Sequence, residues 1–198
     1  MSYLSRALAT AAALLVATSC PAGARSCTVA GNLVPNCGFD VDYVGWNLTT
    51  DLPTWVADDC STGPGCLTLD RWDFNGAIEA ITTCMDATPS TYWAFGGSWR
   101  LDSGTASSGC FLSLAQYSDG DCTTFLSETI VPRSIGSIWR EQLSGLMTSG
   151  ATQSVKLKLA CFSQVEFLVR IDDFFYLPAV FVDGFDAGNT SAWSLSLP

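Results

Sequence analysis

Apolar and polar positions alternate with a period of two in the clearest segments of the chain. Val155-Lys156-Leu157-Lys158-Leu159-Ala160-Cys161 shows it best, with apolar odd positions and two lysines at even ones. That is the pattern of a strand with one buried and one solvated face. The same parity turns Trp93, Phe95 and Trp99 inward and Ala94, Gly96, Ser98 and Arg100 outward. Over 110–117 apolar residues fill both registers. Placing Leu112 and Leu114 inside leaves Phe111, Ser113, Ala115 and Tyr117 on an outer face.

No helical period persists, and short β-branched and aromatic runs are separated by Gly, Pro, Ser, Asp and Thr clusters. The pattern predicts strands at 33–34, 54–56, 66–69, 77–84, 93–101, 110–117, 123–130, 139–146, 154–161 and 167–176. Turns fall at Thr88-Pro89-Ser90, Asp102-Ser103-Gly104 and Ser118-Asp119-Gly120-Asp121. The expected class is all-β, a two-layer antiparallel sandwich.

Residues 1–24 stand outside this pattern. Arg6, the apolar run 7–17 and Ala22-Gly23-Ala24 have the form of a secretory signal with its cleavage site. Lipidation at Cys20 after Ala17-Thr18-Ser19 is the alternative, and either predicts export to the periplasm, the cell surface or the medium.

Of nine cysteines, eight follow the leader: Cys27, Cys37, Cys60, Cys66, Cys84, Cys110, Cys122 and Cys161. An even set without a C-x-x-C pair reads as a disulfide framework. The turn Ser61 to Gly65 suits a Cys60–Cys66 bridge, and the turn 118–121 suggests Cys110–Cys122 if a bulge corrects the register. The other four allow three pairings, with Cys27–Cys37 and Cys84–Cys161 preferred.

With 19 acidic and 9 basic residues, the chain has a formal net charge of −10. A nucleic-acid partner is disfavoured, because phosphate binding needs clustered Lys and Arg. No later apolar run is long enough to span a membrane. There is no histidine, which removes Ser-His-Asp and Cys-His catalysis and His-ligated zinc. Phosphate-cradling glycine motifs are missing as well. An enzyme would have to use a carboxylate pair, as glycoside hydrolases do, from Asp58, Asp59, Asp70, Asp73, Glu79, Asp172 or Asp173.

Asn32-Leu33-Val34-Pro35-Asn36-Cys37-Gly38-Phe39-Asp40, followed by Gly45-Trp46, resembles the opening of galactose-binding-like jelly-roll carbohydrate-binding modules of the cellulose- and xylan-binding type. Val169-Arg170-Ile171-Asp172-Asp173-Phe174 resembles their closing strand, and Trp93 to Arg100 and Trp139 fit between. The resemblance covers 32–178 and departs from the type at Cys37 and in its many cysteines. Beside the leader (1–24), it divides the chain into a jelly roll (25–178) and a tail (179–198).

The resemblance also implies a structural calcium tying the first strand to the last through Asp40 and Asp172, with turn capping as the other role for these acids. It implies carbohydrate as partner, bound by rings stacked on sugar faces beside hydrogen-bonding side chains. The candidates are Tyr92, Phe111 and Tyr117 with Arg100 and Gln116, plus Trp72 in the loop 70–76. A surface or adhesive protein that binds another protein is the second expectation.

Residues 182–193 echo the module's own opening and resemble short tails of exported bacterial proteins. They predict either a flap on the sandwich or a surface-sorting signal. Asn47-Leu48-Thr49 and Asn189-Thr190-Ser191 are glycosylation sequons.

Overall fold

The alternating run at 154–162 forms the middle strand of a sheet, one face buried and the other open. The computed structural model describes residues 27, 29–49, 53–71, 77–104, 109–133, 135–162 and 166–179. The leader 1–24 with Cys20, the candidate ligand residue Trp72, Asp73, and the tail from 180 with Asn189 lie outside the described residues. Among the described residues the structure is all-β and antiparallel, and no helix is long and apolar enough to cross a membrane.

The strands are β1 (Trp46–Leu48), β2 (Pro53–Val56), β3 (Cys66–Arg71), β4 (Ile78–Thr82), β5 (Met85–Asp86), β6 (Tyr92–Ser103), β7 (Gly109–Tyr117), β8 (Phe125–Arg133), β9 (Arg140–Met147), β10 (Ser154–Phe162) and β11 (Phe167–Pro178). One sheet runs β1-β4-β10-β7-β8, with β5 also on β10, and the other runs β2-β3-β11-β6-β9. Their inner faces form one core. Val155, Leu157 and Leu159 meet Leu112 and Leu114 there, opposite Trp93, Phe95, Trp99, Val169, Ile171, Phe174 and Tyr176. Trp93 stacks on Tyr176 with centroids 4.2 Å apart.

The expected parity of β6 holds, with Trp93, Phe95 and Trp99 all inside. Ala94, Gly96 and Ser98 are nevertheless buried on the outer side. Phe175 lies over Gly96, where an added Cβ would sit 2.5 Å from its ring. Ala94, Phe175, Leu177 and Ala179 form a second small cluster with Val29 against it.

Segment 33–34 is not a strand, in contrast to expectation. It is tied to β11 by Leu33 N–H donating to the Tyr176 carbonyl at 3.0 Å, while the Asn32 amide bonds both Phe174 O and Tyr176 N–H. The beginning and end of the domain thus lie side by side. The expected strand at 77–84 ends at Thr82 and restarts as β5, and the one at 123–130 is displaced to Phe125–Arg133.

Four disulfides staple the sandwich: Cys27–Cys37, Cys60–Cys66, Cys84–Cys122 and Cys110–Cys161. The first two are the expected pairs. The expected Cys110–Cys122 and Cys84–Cys161 pairs are corrected by strand register. Cys110 lies at the far end of β7 from the 118–124 turn, opposite Arg133 on β8 and Cys161 on β10. Cys122, left-handed at φ 52° in that turn, reaches Cys84 instead.

Candidate functional site

The outer face of the first sheet follows from strand register, because directly paired residues share a face. One row across the sheet reads Asn47, Ile81, Lys158, Ser113, Ile130, and the next reads Glu79, Ala160, Phe111, Pro132. Toward the other end come Lys156, Ala115 and Glu128, then Tyr117 beside Phe125. Both lysines of the chain stand on this face.

A polar cluster occupies its centre. The Lys158 ammonium meets Glu128 Oε1 at 2.8 Å, and the buried Ser113 hydroxyl donates to the same oxygen at 2.6 Å. Burial works to raise the Glu128 carboxyl, but Lys158 and Ser113 outweigh it and hold the group below its ordinary value. Aromatic rings flank the cluster on both sides. Lys158 lies over Phe111 at 5.9 Å and Lys156 over Tyr117 at 5.6 Å. Phe111 adjoins Phe162, and Tyr117 meets Phe125 edge-on at 6.0 Å. Phe125 is 58% and Phe162 51% exposed. The face offers planar apolar surface around fixed donors and acceptors, the equipment for a flat, hydroxyl-rich ligand.

Of the five described candidate ligand residues, two stand on this face. Phe111 and Tyr117 lie on it as the parity predicts. Gln116 points the other way, and its Oε1 accepts from Ser149 N–H at 3.0 Å and Thr152 Oγ1 at 2.7 Å. It braces the 148–153 turn, a correction that follows from its inward parity with Leu112 and Leu114. Tyr92 and Arg100 belong to β6 in the other sheet, so they stand on the far side of the sandwich from Phe111.

There Arg100 binds Asp59 through two nitrogens and Asp102 through Nε, with its guanidinium 5.1 Å from the Trp139 ring centre. Arg170 shares Asp102 and reaches Asp58. These contacts pin the Cys60–Cys66 loop to the second sheet. Lys156, Lys158, Glu128, Ser113, Phe125 and Phe162 were not among the candidates. The lysines were visible in the alternation, but their partners depend on long-range register.

The candidate acids are equally dispersed. Asp58 and Asp59 hold arginines, Asp70 points out of the second sheet, and Glu79 points out of the first. Asp172 and Asp173 are buried at a β11 bulge, where Asp173 is left-handed at φ 52°. Asp172 Oδ2 accepts from Ser61 and Thr62 N–H, and its Oδ1 accepts from Asp173 N–H. Burial, then the neighbouring Asp173, pushes Asp172 up to about 7.

Asp172, the expected partner of Asp40, has both carboxylate oxygens engaged by backbone N–H donors. Asp173 fits better. Its Oδ2 is buried without a hydrogen-bond partner, and burial raises its titration against the opposing bonds from Thr62 and Ser61, with the Asp40 charge adding to the rise. The Asp40 carboxylate and Gly38 carbonyl both border Gly63. Two carboxylates and a carbonyl so placed suit calcium, which takes six to eight oxygens, roughly. Among the described residues no group of three or more acids, cysteines or histidines could hold a metal, so backbone and water would supply the remaining ligands.

No family model matches the chain, and no curated protein matches it. Solved structures do. A family 61 carbohydrate-binding module, TmCBM61 in complex with β-1,4-galactotriose, superposes with a TM-score of 0.56 at 13% identity, covering 74% of this chain and 98% of that one. A family 16 module gives 0.59 at 13%, covering 74% and 99%. The enzymatically active domain of bacteriophage CBA120 tailspike protein 4 gives 0.60 at 14% over 74% of this chain, which spans only 21% of the tailspike. The likeness lies in the backbone, and the chain has the jelly-roll fold of carbohydrate-binding modules.

Proposed function

We propose that the chain is a non-catalytic, extracytoplasmic module that binds a polysaccharide on the outer face of its first sheet. The observation that carries this is the Lys158–Glu128–Ser113 cluster set between the Phe111 and Tyr117 rings on a face that no described strand covers. Five strands at about 4.8 Å spacing span roughly 19 Å, room for several sugar units laid across them. TmCBM61, a module of the same fold, is known in complex with β-1,4-galactotriose, which supports the ligand class. Four disulfides suit an oxidising compartment. The reading includes a structural calcium held by Asp40, Asp173 and the Gly38 carbonyl, which would fix the opening segment to β11.

Affinity electrophoresis in gels containing xylan, galactan or a soluble cellulose tests the assignment. The wild-type chain should be retarded by at least one polymer. Phe111→Ala with Tyr117→Ala should abolish the retardation without lowering the melting temperature. Migration unaffected by every polymer, or retardation that survives the double change, overturns it.

A further inference from the structure

The outer face of an antiparallel sandwich ordinarily carries polar residues, and part of the second sheet departs from this. Register puts Phe175, Gly96 and Leu143 in one row across β11, β6 and β9, and Leu177, Ala94 and Gly145 in the next. None of the six carries a charge, and no described strand lies over them. Tyr92 and Met147 continue the patch along β6 and β9.

Burial divides this patch in two. On β11, Phe175 and Leu177 are each only 2% exposed. Val29 packs against them, but a phenylalanine side chain of roughly 150–250 Å² is more than one valine covers. On β9, Leu143 and Met147 remain 44% and 49% exposed. A contiguous apolar surface of this kind marks a place where something docks.

The chain itself arrives there. Ala179 N–H donates to Tyr92 O at 2.8 Å, which holds the end of β11 against β6, and residues 180–198 follow from that point. β9 lies two strand spacings away, about 10 Å, a span that about four extended residues cover. The tail's sequence supplies a matching surface. Trp193-Ser194-Leu195-Ser196-Leu197 alternates strictly, so an extended backbone puts the indole and both leucines on one side and both serines on the other.

We propose that the C-terminal tail docks on the outer face of the second sheet, closing over Phe175 and Leu177 and laying Trp193, Leu195 and Leu197 across Leu143 and Met147. A segment tethered beside its site is presented at an effective concentration on the order of millimolar, ahead of any second copy of the chain. The tail is then a flap and not a signal held out for sorting machinery. This holds whatever the first sheet binds.

Hydrogen exchange of the full chain, read by mass spectrometry on peptides from 186–198, tests the docking. In the wild type the amides of 193–197 should exchange about tenfold or more slowly than in a synthetic peptide of the same sequence, and equally so at every protein concentration. Leu143→Glu with Met147→Glu, at positions outside the core, should remove that protection while peptides from β10 exchange as in the wild type. Trp193→Ala should do the same from the tail's side. A tail that exchanges like the free peptide, as a signal awaiting recognition would, overturns the proposal. So does protection that survives the face variant, or protection that rises with protein concentration, which would place the tail on a second copy.

Discussion

Lys158 on β10 reaches across β7 to Glu128 on β8, closing an ion pair of 2.8 Å over the Ser113 hydroxyl. The bridge spans three strands between the Phe111 and Tyr117 rings. It holds a donor and an acceptor in fixed positions before any ligand arrives, and preorganisation of this kind lowers the ordering cost of binding.

The pair has a definite pH window. Glu128 titrates below its ordinary value in the fold because Lys158 and Ser113 outweigh the effect of burial. A carboxyl lowered on folding contributes above its unfolded pKa and loses that contribution as pH falls through the folded one. Polysaccharide retention should therefore hold from neutral pH down into the ordinary glutamate range, about 4.3, and decline only below it. Glu128→Gln should weaken retention at neutral pH and flatten the acid limb. Affinity electrophoresis across a pH series reads both effects, and an acid limb unchanged in the variant would assign it to another group.

The disulfides should rank by the length of chain they close. Cys110–Cys161 spans 51 positions, Cys84–Cys122 spans 38, and Cys60–Cys66 only 6. In the chain-entropy model the longest is worth about 4 kcal/mol and the shortest about 2 kcal/mol. Paired Cys→Ala replacement at 110 and 161 should lower the melting temperature more than replacement at 60 and 66. Non-reducing peptide mapping should recover 110–161 and 84–122 linkages, and a 110–122 peptide would contradict the register.

What the chain discloses by itself is local. The parity of 93–99 and 155–161 was legible because large apolar side chains, Trp93, Phe95 and Trp99 in one strand and Val155, Leu157 and Leu159 in the other, recur in a single register. Cys60–Cys66 was legible because only a short turn separates the two. Gln116 was misplaced since the outward parity of Phe111 and Tyr117 does not extend to their even-numbered neighbour. Lys158 with Glu128, and Cys110 with Cys161, meet only after β7, β8 and β10 have paired across long separations. No periodicity carries that register. The surroundings of Asp172 and Asp173 were not legible because the ladder is irregular between Asp172 and Phe175, and bulges leave little trace in a hydrophobic pattern.

Trp99 tests the core assignment. It is fully buried and meets Phe174 edge-on at 5.7 Å. Gly97 leaves space for the Phe174 ring, since an added Cβ would stand 2.6 Å from it. Trp99→Ala should cost about 3–5 kcal/mol, measured by denaturant unfolding. Gly97→Ala should also destabilise, by roughly 1–3 kcal/mol from overpacking. A Gly97→Ala chain as stable as the wild type would mean that Phe174 does not lie there.

Asp172 and Asp173, adjacent in the chain, should respond differently to calcium. Asp172 receives three backbone N–H groups, so its work is to hold residues 61 and 62 against β11. Asp173 keeps one buried oxygen free of hydrogen bonds and faces the charge of Asp40. A bound cation would satisfy that oxygen and remove the repulsion between the two acids, stabilising the native state by mass action. Calcium should accordingly raise the melting temperature of the wild-type chain, and EDTA should lower it. Asp173→Asn should abolish the calcium increment. Asp172→Asn should lower the melting temperature with or without the metal, because an amide nitrogen cannot accept the N–H groups a carboxylate oxygen does. Differential scanning calorimetry of the three chains, each with calcium and with EDTA, separates the roles. A wild-type melting temperature indifferent to both additions would leave Asp40 and Asp173 as loop acids alone.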